Sequence, residues 1–162
     1  MHDASHAELD ARIRASFDRQ AFMATLGAEL TSVRAGEVVI ELPFRADLTQ
    51  QHGFLHAGAV ASVVDSACGY AALSVMEAGT AVLSVEFKIN LMAPAAGTRF
   101  RATGRVLRAG RTLTVCAGEA HAVRDGKSDA LIAICGTDVT ACGRSCCLES
   151  HTSPLCTTRS RK

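Results

Sequence analysis

The chain has 162 residues, 48% of them hydrophobic, and a formal net charge of +1. That suffices for one domain with a buried core, and the near-neutral balance gives no field to draw in nucleic acid or an anionic membrane. With no Trp and one Tyr, a stacking platform for single-stranded nucleic acid is not expected either.

The opening residues, Met1 to Asp10, are polar and acidic. They lack the basic start and apolar stretch of a secretory leader, so a cytoplasmic protein is expected. Over residues 6–26, Leu9, Ile13, Phe17, Ala21 and Met23 recur at roughly helical spacing, predicting an N-terminal helix. Val38, Ile40 and Leu42 then alternate with Glu37, Val39 and Glu41, a strand ending near Pro43. A polar, Gly-containing loop follows from Arg45 to Leu55.

From Ala57 to Met76 there is one charge, Asp65, in 20 residues. The length fits a membrane span. Against a span stand the many Ala, Gly and Ser residues and the central Asp, which costs ~2.5–3.5 kcal/mol on insertion. A core helix ending by Gly79 is the better reading.

Beyond it the period becomes two. Leu83, Val85, Phe87 and Ile89 alternate with Ser84, Glu86, Lys88 and Asn90, predicting a half-buried strand. Three further runs, 98–107, 111–123 and 130–140, are separated by turns at Ala109–Gly110 and Asp125–Gly126; Pro94 to Gly97 breaks the first pair. The class is α+β: an antiparallel sheet wrapped round one long central helix. A single domain is expected over 1–141. Cys68, Cys116 and Cys135 read as small buried hydrophobes. Cys142, Cys146, Cys147 and Cys156 crowd residues 142–162 without paired C-x2-C spacings, so a disordered tail holding no metal is expected.

The chemistry concentrates in Gln50-Gln-His-Gly-Phe-Leu-His56-Ala57-Gly58 and the helix that follows. Asp65 sits among Val63, Val64, Ala67 and Cys68, where desolvation raises a carboxyl pKa and marks a candidate site. The helix start offers unpaired N–H groups and the positive end of the dipole, suited to a developing oxyanion. Asp65 lies eight residues past Ala57, ~12 Å along a helix. One carbonyl carbon is therefore out of reach of both groups on one helix. Two helices paired antiparallel bring the Ala57 end of one copy towards Asp65 of the other. An obligate homodimer is expected.

These residues resemble the hotdog-fold thioesterases, particularly the phenylacetate-pathway (PaaI-like) and 4-hydroxybenzoyl-CoA groups. Their amide residue, His-Gly-Gly turn and helical carboxylate correspond here to Gln50, His56-Ala57-Gly58 and Asp65, and the likeness extends to Ser84-Val85-Glu86-Phe87 and Arg108-Ala-Gly-Arg111. The resemblance implies a hotdog fold and hydrolysis of an acyl-CoA to acid and CoA, with no cofactor beyond the CoA of the substrate. Asp65 would be base or nucleophile, and the site would be shared across a dimer that pairs again into a homotetramer. It implies that Gln50 orients thioester or water, that Ser84 helps place water, and that His56 and Gly58 shape the turn against the substrate. Ala57 stands where the family has the donating Gly; it can donate equally if its φ is negative. Arg108 and Arg111 are candidates for CoA phosphate, since guanidinium forks suit it. His52 and His56 are four apart but beside Gly53, and no metal is expected. Two other readings stay open: a non-catalytic acyl-CoA sensor, and a hotdog hydratase or dehydratase, for which His56 is poorly placed.

Overall fold

The computed structural model describes residues 2–124 and 129–142. The Asp125–Gly126 turn and the cysteine-rich segment after Cys142 lie outside them. Helices α1 (His2–Phe17) and α2 (Ala21–Leu26) lead into strands β1 (Glu29–Arg34) and β2 (Glu37–Pro43), the long helix α3 (Ala57–Ser74), and strands β3 (Ala81–Leu91), β4 (Arg99–Ala109), β5 (Leu113–Val123) and β6 (Ala130–Cys142). All six strands form one antiparallel sheet in the order β1-β2-β4-β5-β6-β3.

α3 is the core. Ala59, Val60, Val63, Val64, Ala67, Cys68, Ala71 and Ala72 are buried along it. Its 18 residues are long and apolar enough for a bilayer, yet they pack into the hollow of the sheet. The approach is close at Gly104, where a methyl group would come within 2.3–2.5 Å of the Ala67–Cys68 backbone. Gly104→Ala must therefore push a helix backbone off the sheet. It is expected to destabilise by at least ~1–3 kcal/mol, the range for overpacking, read as a lower urea midpoint; an unchanged midpoint would show that α3 can shift freely. Cys68, Cys116 and Cys135 are all buried. Burial pushes the Cys68 thiol up to about 12 and that of Cys116 up to about 11.

The N-terminal region forms two helices rather than one. Gly27 closes α2 in the left-handed conformation at φ 72°. α1 packs through Ile13 and Phe17, whose ring meets Tyr70 edge-on at 5.6 Å. Arg12 caps the far end of α3 by donating to the Leu73 and Ser74 carbonyls (3.3 and 3.5 Å), groups that the helix leaves unpaired.

Four further sequence expectations change. β1 was not foreseen: a bulge at Thr31 puts Leu30 and Val33, three apart, on the same buried face, which hides the period of two. The 94–97 break is no hairpin. It carries the chain from β3 at the sheet edge across to β4, which pairs with β2 and β5. In β3 the faces are not those of strict alternation. Ser84 opposes Val139 while Glu86 opposes the adjacent Asp138, so Val85 is an extra, bulged residue. Ser84 thereby joins Phe87 and Ile89 on the helix side, and Leu83 joins Glu86, Lys88 and Asn90 outside. Nor is the strand half-buried in a single chain: Leu83, Val85, Phe87 and Leu91 are 54, 61, 48 and 56% exposed.

Candidate active site

The chain entering α3 is pinned on both sides. Leu55 N–H donates to the Ala95 carbonyl (3.1 Å) and His56 N–H to that of Leu48 (2.9 Å). His56 is the N-cap, extended at φ −64°, ψ 136°, and its Nδ1 accepts the Gly58 N–H at 2.9 Å. Gly58 lacks a side chain where the imidazole comes within 3.0 Å. The Gly58 N–H is thus engaged by His56 and not directed at a ligand. Ala57 is the first helical residue, so its φ is negative and its N–H has no partner within the helix. The replacement of glycine by alanine brings no strain here.

Gln50 stands on the loop beside it. Its side-chain oxygen accepts the His52 N–H at 2.6 Å. Gln50 and Ala57 line one pocket of about 280 Å³, otherwise apolar, with Phe54, Val60, Leu91 and Ile132.

Asp65 faces a different space. Two turns into α3, it is half-buried and accepts the Ser84 hydroxyl at 3.0 Å (Oδ1) and 3.2 Å (Oδ2). Burial raises its carboxyl above the ordinary value, and the Ser84 hydrogen bond offsets this in part by favouring the charged form. The bulge at Val85 is what turns Ser84 towards it. Removing that hydroxyl should raise the Asp65 pKa further. Ser84→Ala is expected to move the acid limb of the kcat/KM profile to higher pH and to slow turnover near neutrality by about tenfold, the scale of one hydrogen bond to a charged group. An acid limb that stays put would separate Ser84 from the titrating group.

Asp65 and Ser84 border a cavity of about 810 Å³. Its walls include Tyr70 and residues that sequence reasoning passed over: Arg12 and Ser16 of α1, Arg19 and Gln20 of the link from α1 to α2, and Ser66 and Gly69 of α3. Gly69 follows from helical spacing after Asp65. The α1 wall has no local signal, because it depends on how α1 docks.

The structure therefore brings Asp65 together with Ser84, and Ala57 together with Gln50, in separate cavities. Arg108 and Arg111 lie apart from both, exposed at the β4–β5 hairpin. Arg99 and Arg101, at the other end of β4, are held by Glu41 at 2.8 and 3.0 Å, and Arg105 by Glu37 at 2.8 Å. Among the described residues no three His, Cys, Asp or Glu side chains gather as a metal site.

A sequence profile of the Thioesterase superfamily matches residues 52–128. The candidate esterase SSO2140 of Saccharolobus solfataricus is 36% identical over 90 residues, 56% of this chain, and this chain spans 64% of that protein's length. The crystal structure of a thioesterase family protein from Silicibacter pomeroyi superposes with a TM-score of 0.80 at 50% identity, covering 82% of this chain and 97% of that one. The E. coli PaaI protein, from the phenylacetic acid degradation operon, gives a TM-score of 0.74 at 23% identity over 85% of this chain and 96% of its own; that likeness is one of fold. A sheet curled round a single apolar helix, matched at half-identity over nearly the whole of a thioesterase family protein, places this chain in the thioesterase superfamily with a hotdog fold, a family whose general chemistry is thioester hydrolysis.

Proposed function

We propose that the chain hydrolyses an acyl-CoA thioester at a site assembled from two copies. Asp65 and Ser84 of one protomer would face the Ala57 N–H and Gln50 of the other. The observation that carries this reading is the separation of the two pairs into different cavities of one chain. A second copy is supported by β3, a sheet edge with apolar side chains bare of cover. Further pairing of dimers into a tetramer is proposed on the family resemblance.

In this mechanism the Ala57 N–H and the helix dipole stabilise negative charge on the thioester oxygen. Asp65 acts as a carboxylate. It either takes a proton from water, whose oxygen attacks the acyl carbon, or attacks that carbon itself to form an anhydride that water then opens. In both routes the C–S bond breaks, and the sulfur leaves as CoA thiolate and gains a proton. Arg108 and Arg111, which hold no carboxylate among the described residues, are proposed to receive CoA phosphates.

The test is thiol release from a panel of aryl and aliphatic acyl-CoAs. Release that depends on Asp65 supports the proposal. Binding across the panel without release would leave a sensor and defeat the hydrolytic reading.

A further inference from the structure

Gly69 lies one turn beyond Asp65, on the same side of α3, and borders the same cavity. Outside its own stretch of helix, a methyl group there would meet no heavy atom within 4 Å. This sets it apart from Gly104 and Gly118, where a methyl group would collide with α3. Its φ is not positive, so neither backbone conformation nor packing within one chain calls for glycine. Mid-helix glycine is unfavourable next to any residue but proline. Some other demand keeps the position empty.

We infer that the space above Gly69 is the channel for the acyl group, and that Gly69 sets which acyl groups pass. The inference rests on the acyl-CoA reading and deepens it. α1 closes the opposite side with Arg12 and Ser16, joined by Gln20 at the start of α2, and the cavity continues along α3 as far as Leu73. From Asp65 to Leu73 is eight residues, ~12 Å of helix, and Gly69 stands ~6 Å along it. An acyl group with its carbonyl beside Asp65 must extend past Gly69 to fill this space. An acetyl group ends before it. The substrate class is therefore acyl chains of medium length, or aryl-acyl groups of similar reach.

The test compares wild type with Gly69→Leu on straight-chain acyl-CoAs from acetyl to decanoyl, with Tm and mass by light scattering measured alongside. Leu is a good helix former, so the variant should melt at or above the wild-type Tm. The wild-type kcat/KM should peak beyond butyryl. In the variant the peak should move to shorter chains, with the octanoyl-to-acetyl ratio falling at least about tenfold. Should Leu prevent folding, Gly69→Ala should shift the profile the same way by less. A folded variant with an unmoved profile overturns the inference while leaving the hydrolase reading intact, as does a wild-type peak at acetyl-CoA. A variant that loses its dimer assigns the space to the second copy and also overturns it. If wild type releases thiol neither from any member of the series nor from aryl-acyl-CoAs, the broader proposal fails and takes this one with it.

Discussion

Asp65→Asn is expected to lower kcat by at least about 10²-fold, the low end for acid–base catalysis, and at the same time to raise Tm at neutral pH. Burial lifts the Asp65 carboxyl in the folded chain above the ordinary value of 3.8. The folded state then holds this proton more tightly than the unfolded state does. Below the unfolded pKa both states are protonated and the group is neutral in its effect. As pH rises through the folded pKa the native chain must carry a half-buried charge, and stability falls. Asn, which can still accept the Ser84 hydroxyl, never bears that charge. Its advantage should be present at pH 7 and fade as pH falls towards 3.8. Calorimetry at both ends of that range, beside a thiol-release assay, checks it. Unaltered turnover would remove Asp65 from the chemistry. A lower Tm at pH 7 would show that the carboxylate is held for structure.

The second large effect comes from taking away one hydrogen. Pro is well accommodated at the first position of a helix, and the residue before it must be extended. Ala57 holds that position, is exposed, and follows an extended His56. Ala57→Pro should therefore delete the N–H and little else. Loss of one oxyanion donor costs ~2.7–4 kcal/mol, or 10²–10³ in kcat. Mixing then tests whether the site is shared. When Ala57→Pro and Asp65→Asn chains are unfolded together and refolded, half of the dimers should be mixed, each with one intact site. Activity should return to about a quarter of the wild-type level. No recovery, with mixed dimers shown by mass, would mean that one chain carries the whole site.

The core of the fold was legible in the sequence. The apolar run with a single acid marked α3 and Asp65, and the spacing from Ala57 to Asp65 already separates the two groups that the structure places in different cavities. What escaped were the places where local pattern and tertiary structure part. Bulges at Thr31 and Val85 each add a residue that breaks the alternation. One hid β1; the other assigned Ser84 to the outer face, when it in fact meets Asp65. Docking of α1 against α3 is a long-range packing outcome, so the wall it builds has no signature in residues 6–26. Gly58 was taken to shape the turn against the substrate; only the placed imidazole of His56 shows its N–H already engaged.

The thiol of Cys68 belongs to the same helix as Asp65, three residues on. An enzyme that cleaves thioesters carries a standing hazard: a nearby thiolate could accept the acyl group by exchange, leaving the protein acylated and the acid unreleased. A thiol titrating near 12 is ionised in roughly one molecule in 10⁵ at pH 7. Wrapped in the sheet and seldom ionised, the Cys68 thiol is kept from competing for an acyl group at the proposed site, by enclosure and by desolvation together.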